Sequence, residues 1–175
     1  SIGKADYEGM PTNELVDVFY TEFETYYNRK GEQISELLLP QIKNIHEHQG
    51  HQYKRLLIPF TDGRQNPYNV TAASDELETS EGKTIMRDIE KAVTLTIIDE
   101  KWKEHLRSMD ELKDSSQSAS FEQKDPLVVY KMEAYNLFEQ LVYEVNEEVT
   151  SYLSKGTLIF ADGTTLEQAR EARTD

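Results

Sequence analysis

The sequence predicts a mainly α-helical protein that carries a small β element and a long antiparallel helical hairpin. Three observations carry that prediction. Apolar residues recur at spacings of three and four over most of the 175 residues, the period of an amphipathic helix. One stretch, YKRLLIPFTDGRQNPYNVTA (53–72), has a different texture: a short apolar run, prolines and an Asp-Gly pair, the signature of strands joined by a tight turn. Finally, two uninterrupted helical patterns are separated by about a dozen polar residues, too few to let the helices do anything simpler than fold back on each other.

Each element follows in order. Residues 1–11 contain Gly3, Gly9 and Pro11 and little periodicity, and read as a lead-in to a helix starting at Thr12 or Asn13. Leu15, Val18, Phe19, Phe23, Tyr26 and Tyr27 give one stripe as far as Lys30, after which Gly31 is expected to break or bend the helix. A second pattern uses Ile34, Leu37, Leu38, Ile42 and Ile45, with Pro40 expected to kink or divide it and Gly50 to stop it. Strands are expected near 55–60 and 67–71, turned by Asp62-Gly63, and TLIFADG (157–163) repeats that phrase and is expected to supply a third. The acidic ASDELETSEG (73–82) suits a connection.

The two longest elements come next. Ile85, Ile89, Ala92, Leu95, Ile98, Trp102, Leu106, Met109 and Leu112 form a stripe over 84–113, a helix of roughly 45 Å at about 1.5 Å per residue. After Pro126, well suited to a first helical turn, the stripe resumes over 126–153 at Leu127, Tyr130, Ala134, Leu137, Phe138, Leu141, Val145, Val149 and Tyr152. Trp102, Phe138 and Leu141 are the expected core anchors of the pair, and TTLEQAREARTD at the end reads as a frayed or disordered tail.

Composition narrows the function. A net charge of −14 repels nucleic acid and anionic lipid heads, so neither is an expected partner. There is no cysteine, which excludes a disulfide framework and a thiolate metal site and fits a reducing compartment, the cytoplasm. No run of 18 apolar residues and no signal-like start occurs.

Chemical motifs are sparse. HEHQGH brings His46, His48 and His51 close in sequence, but on a helix 46 and 48 point about 200° apart, unlike the paired ligands of a zinc helix. The competing reading is a solvated helix end whose imidazoles sit favourably at the negative pole. His105 reads as a satisfied residue of the hairpin interface, able to donate across it. Asp99, Glu100, Asp110 and Glu111 are too ordinary in so acidic a chain to be assigned as an acid-base pair. No phosphate cradle, dinucleotide turn or nucleophile elbow occurs in the 175 residues. The chain is therefore not expected to be an enzyme by itself, nor to hold a cofactor or metal.

The hairpin loop, 114–125, is the remaining feature. Ser115, Ser116, Ser118 and Ser120 keep it soluble, and Asp125 before Pro126 can cap the returning helix. It carries one large ring, Phe121. Two readings stand: the ring folds back onto Leu127 or Tyr130, or it is exposed and contacts a partner without reading sequence.

IDEKWKEHLRSMDELK (98–113) followed by EQKDPLVVYKMEAYNLFEQLV (122–142) resembles the wing and scaffold region of the SecA family, the ATP-driven motors of bacterial preprotein export. EGKTIMRDIEKAVTL (81–95) fits as well, and YYNRKGEQISELLLPQIKNI (26–45) and LLIPFTDGR (56–64) are similar to the Bacteroidetes-like branch. The likeness covers roughly 12–156.

The resemblance implies a division into a helical wing with the short β element (1–82), a two-helix finger (83–156) and a C-terminal strand and tail (157–175). It implies that the finger reaches the mouth of the SecY channel and meets unfolded preprotein. Relatives commonly carry Tyr at the tip just before Gln-Lys-Asp-Pro, a place held here by Phe121, so Phe121 with Ser120, Glu122, Gln123 and Lys124 becomes the implied polypeptide-contact set. Trp102, His105, Leu106, Met109, Tyr130, Phe138 and Leu141 are the expected packing residues of the finger. The tip departs from relatives in having SSQSAS where they carry Gly, Arg and apolar residues, which puts the strength of the grip in question. The resemblance further implies a piece of a larger protein whose motor domains bind ATP and Mg, cytoplasmic and peripheral at the inner membrane. The competing readings are a stand-alone helical adaptor and a metallohydrolase built on the His cluster.

Overall fold

The computed structural model describes residues 9–49, 54–64, 67–117 and 125–159, excepting the side chains of His46, His48 and Gln49. In chain order the elements are α1 (Thr12–Gln49), β1 (Arg55–Thr61), β2 (Tyr68–Ala73), α2 (Ser74–Thr79), α3 (Ile85–Ser116), α4 (Pro126–Lys155) and β3 (Thr157–Leu158). They form two compact units, Ser1–Lys54 with Ala73–Met86, and Arg55–Ala72 with Arg87–Asp175. The protein is mainly helical with one small three-stranded sheet of order β2-β1-β3.

The first unit is built on α1. The helix starts at Thr12, with the Leu15 N–H donating to the Pro11 carbonyl at 3.0 Å. It then runs 38 residues without interruption, so the break expected at Gly31 and the division at Pro40 do not occur. Close packing explains the first: a Cβ on Gly31 would lie 3.0 Å from Met86 Cγ. Glycine is there for approach, not flexibility. Pro40 removes one helical hydrogen bond, but Ile34, Leu38 and Ile42 are buried around it, each worth roughly 1.5–3 kcal/mol.

Residues 73–82, expected to be a connection, contain a helical turn and a half, α2, because Leu77 and Ser74 are buried. Its end is closed by the N–H of Gly82 donating to the Leu77 carbonyl at 2.7 Å. That closure puts the residue before Gly82 in the left-handed region, and Glu81 has φ +54°, followed by Gly82 at φ +81°. Ser35 on α1 fastens the turn, its hydroxyl donating to the Gly82 carbonyl at 3.1 Å. Further toward its start, α1 keeps Phe19, Tyr20, Phe23 and Tyr26 exposed, with Phe23 stacked on Tyr27 at 6.0 Å.

The second unit joins the sheet to the long helices. Beyond β1 the turn is shaped by Gly63 at φ +78°, by the Gly63 N–H donating to Thr61 Oγ1 (3.1 Å) and by the Arg64 N–H donating to Asp62 Oδ1 (3.0 Å). β3 pairs antiparallel with β1, Phe60 opposite Leu158 and Thr61 opposite Thr157. The third strand expected from TLIFADG is therefore present at its first residues, while 160–163 lie outside the described set.

Tyr152, near the end of α4, is buried and donates its hydroxyl to the Phe60 carbonyl at 3.0 Å. Its ring lies 5.9 Å from Phe60 and stacks on Tyr68 at 4.6 Å. The buried apolar residues of the unit are completed by Ile58, Val70, Ala72, Ile89, Val93, Ile97 and Leu158. At Gly156 the chain passes so close to Phe60 that a Cβ would fall 2.2 Å from its ring.

Candidate functional site

α3 and α4 form the hairpin. At about 1.5 Å per residue their 32 and 30 residues give rods of roughly 48 and 45 Å. They pair antiparallel: Lys101 Nζ reaches Glu144 and Glu148, both at 3.4 Å, and one turn farther along α3 His105 meets Phe138 edge-on at 6.3 Å, farther back along α4. The cleft between them is lined by Lys101, Glu104, His105 and Ser108 facing Leu137, Gln140, Leu141 and Glu144. This seam is more polar than a plain apolar stripe would make it.

The ends of the hairpin are set locally. α3 runs three residues beyond the expected Lys113, to Ser116, because the Ser115 and Ser116 hydroxyls take up the Leu112 and Lys113 carbonyls at 3.1 and 3.0 Å. Ser116 is buried rather than part of a solvated loop. α4 starts as expected: Asp125 Oδ1 accepts from the Leu127 N–H at 2.9 Å, with Pro126 in the first turn. Residues 118–124 lie outside the described set. Phe121, Ser120, Glu122, Gln123 and Lys124, the implied polypeptide-contact residues, all fall there.

The packing residues expected on the finger are partly displaced. His105, Met109, Tyr130 and Leu141 are half-buried. Trp102, Leu106 and Phe138 are 45, 48 and 50% exposed, so Trp102 and Phe138 are not core anchors. They meet at the margin through His105, whose ring is 5.4 Å from Trp102 and 6.3 Å from Phe138. The reason is that α3 carries two apolar stripes. Ile85, Ile89, Val93 and Ile97, four residues apart, are buried, whereas Leu95, Ile98, Trp102 and Leu106 lie on another face. With Tyr135, Phe138 and Val142 of α4, also exposed, they leave an apolar band along the pair.

Electrostatics concentrate at the root of the hairpin. Burial works against the Lys101 ammonium, but Glu104, Glu144 and Glu148 outweigh it and hold its pKa above the ordinary lysine value. Glu144 is held below the carboxylate range, first by the amide of Gln140, which donates to it at 2.8 Å, and then by Lys101. Burial, followed by the charge of Glu100, pushes Tyr68 up to about 12. Sequence reasoning missed Lys101, Tyr68 and Tyr152 as a group. Glu144, Glu148 and Tyr152 recur every four residues, but nothing local says that a lysine and a strand tyrosine face them.

No group of three or more His, Asp or Glu side chains is placed to hold a metal ion among the described residues. The His46, His48 and His51 side chains lie outside that set. No helix among the described residues is long and apolar enough to cross a membrane.

A rod-like antiparallel helix pair, joined to a small sheet and bearing exposed apolar residues, defines a mainly helical scaffold protein. Comparison with known proteins gives the family: the SecA wing and scaffold domain matches residues 4–157, and the chain belongs to it. Its relatives include the protein translocase subunits SecA of Parabacteroides distasonis, 39% identical over 96% of this chain, and Bacteroides fragilis, 37% over 97%. SecA of Flavobacterium psychrophilum is 41% identical over 90%. The chain spans about 15% of the length of these relatives. No solved structure matches.

Proposed function

We propose that this chain is the wing and two-helix finger of a SecA protein translocase subunit, with 1–82 as wing, 83–156 as finger and 157–175 as tail, and that the finger carries motor motion to preproteins. The observation that supports this most directly is the antiparallel pairing of two rods, α3 ending at Ser116 and α4 starting at Pro126. A stiff pair transmits a displacement along its length, and what sits at its end is what touches cargo. Phe121 with its polar neighbours Ser120, Glu122, Gln123 and Lys124 then meets unfolded preprotein at the SecY channel mouth. A single ring suits a carrier of many sequences, because apolar contact is non-directional.

Nucleotide chemistry, with ATP and Mg, belongs to motor domains elsewhere in the parent, and the chain itself holds no cofactor. The apolar band of Leu95, Ile98, Trp102, Leu106 and Phe138 is where other parts of the same parent pack, since an uncovered stripe of this kind marks an interaction surface. The parent is cytoplasmic and peripheral at the inner membrane, and nucleic acid is not a partner of so acidic a chain.

The test is made in the full-length protein. Phe121→Ser is expected to lower preprotein transport severalfold while ATP hydrolysis persists, and Phe121→Tyr to restore transport. Unchanged transport with Ser at this position would instead favour a helical adaptor whose hairpin is an ordinary binding surface.

A further inference from the structure

The root of the helix pair holds a cation where packed helices ordinarily place an apolar side chain. Lys101 Nζ is 3.4 Å from Glu144, 3.4 Å from Glu148 and 3.5 Å from Glu104, and the lysine side chain keeps only 22% of its exposure. Glu144 and Glu148 are successive turns of one face of α4, so the ammonium bridges both. The next position on that face is Tyr152, fixed by its hydrogen bond to the Phe60 carbonyl and stacked on Tyr68. Tyr68 in turn places its hydroxyl 3.5 Å from Glu100, the neighbour of Lys101. Residues 100 and 101 of α3 are thus tied to 144, 148 and 152 of α4 by two routes, one direct and one through strand β2.

We propose that Lys101 is a positioning residue, a register lock that fixes the axial alignment of α3 against α4 so that a push on one helix reaches the tip through both. Apolar contacts resist separation of two helices but resist sliding weakly, because they are non-directional. Point charges on successive turns resist sliding directly. Without the ammonium, three carboxylates face one another across the seam, and the helices gain by shifting. A natural shift is one turn, about 5.4 Å. Lys101 touches no substrate, and only its consequence for transport rests on the function proposed above.

The sequence has no cysteine, so Lys91→Cys and Asn136→Cys, both exposed positions, can carry the only two spin labels. Because they lie roughly 25 Å apart along the pair at about 1.5 Å per residue, an axial slide changes their separation nearly in full. Pulsed distance measurement on the chain is expected to give one narrow population. Lys101→Met should add a second population displaced by about 5 Å, roughly one turn, and Lys101→Arg should restore the first. About 1 M salt, which cuts the screening length to about 3 Å, should move the original chain the same way. An unchanged distribution in Lys101→Met overturns the lock. Should that variant not fold, the exchange Lys101→Glu with Glu148→Lys decides: the native distance supports the lock and a displaced one overturns it. In the full-length protein, Lys101→Met is expected to lower preprotein moved per ATP hydrolysed. Shifted distances with unchanged transport would leave the lock standing and contradict the proposed function of the finger.

Discussion

Gly156 leaves no room for a methyl group. A Cβ there would lie 2.2 Å from Phe60 Cε1 and 2.7 Å from the Tyr152 carbonyl oxygen, so Gly156→Ala must displace a buried ring and is expected to cost about 1–3 kcal/mol, read by urea unfolding. Tyr152→Phe keeps the stack on Tyr68 but deletes the bond to Phe60, with an expected loss of about 1 kcal/mol in the same assay. The charges of the seam add a pH dependence. Glu144 is depressed in the folded chain, so its contribution is complete above the ordinary carboxylate range and is lost as pH falls through its lowered value. Lys101 is raised, so its contribution is complete below the ordinary lysine value and is lost as pH climbs past it. Stability measured against pH should therefore be flat near neutrality and fall at both ends, and Lys101→Met should lessen the alkaline fall while the raised Tyr68 keeps part of it. None of these roles was legible beforehand. Tyr152 appears in the sequence as the last member of a stripe and Gly156 attracts no reading there, because the partner that gives them meaning, Phe60, lies some 90 residues away.

At the scale of elements, features controlled by near neighbours were readable and those controlled by distant ones were not. The start of α4 is local: Asp125 caps it and Pro126 follows. Asp125→Ala is expected to cost about 1 kcal/mol and to speed amide hydrogen exchange in the first turn of α4 while leaving β1 unaffected. Pro40 misled because its cost is local and its compensation is not. Since it is exposed in the middle of a continuous helix, Pro40→Ala should stabilise the chain by about 1–3 kcal/mol, read as a raised denaturant midpoint. α3 misled differently. Its apolar residues occupy two faces, and periodicity identifies a helix without saying which stripe is buried. Ile89, Val93 and Ile97 are buried, whereas Leu95, Ile98 and Trp102 are exposed.

At the scale of the whole molecule, the mainly helical class, the small sheet and the antiparallel hairpin were legible because each rests on repeated, redundant patterns. The uncovered band was not, since an apolar stripe that awaits a partner outside the chain reads the same as one that finds its partner within it. A chain spanning about 15% of its relatives' length is expected to leave such a surface. By itself it should show no ATP hydrolysis above background; turnover in the purified chain would contradict the assignment of nucleotide chemistry to other parts of the parent. The central claim is that the hairpin delivers residue 121 to the moving polypeptide, and site-specific photo-crosslinking tests it most directly. With a benzophenone side chain at position 121 of the full-length protein and a preprotein stalled during transport, adducts to the preprotein are expected. Adducts to neither preprotein nor channel, while a control position in the channel captures the same stalled chain, would contradict the account.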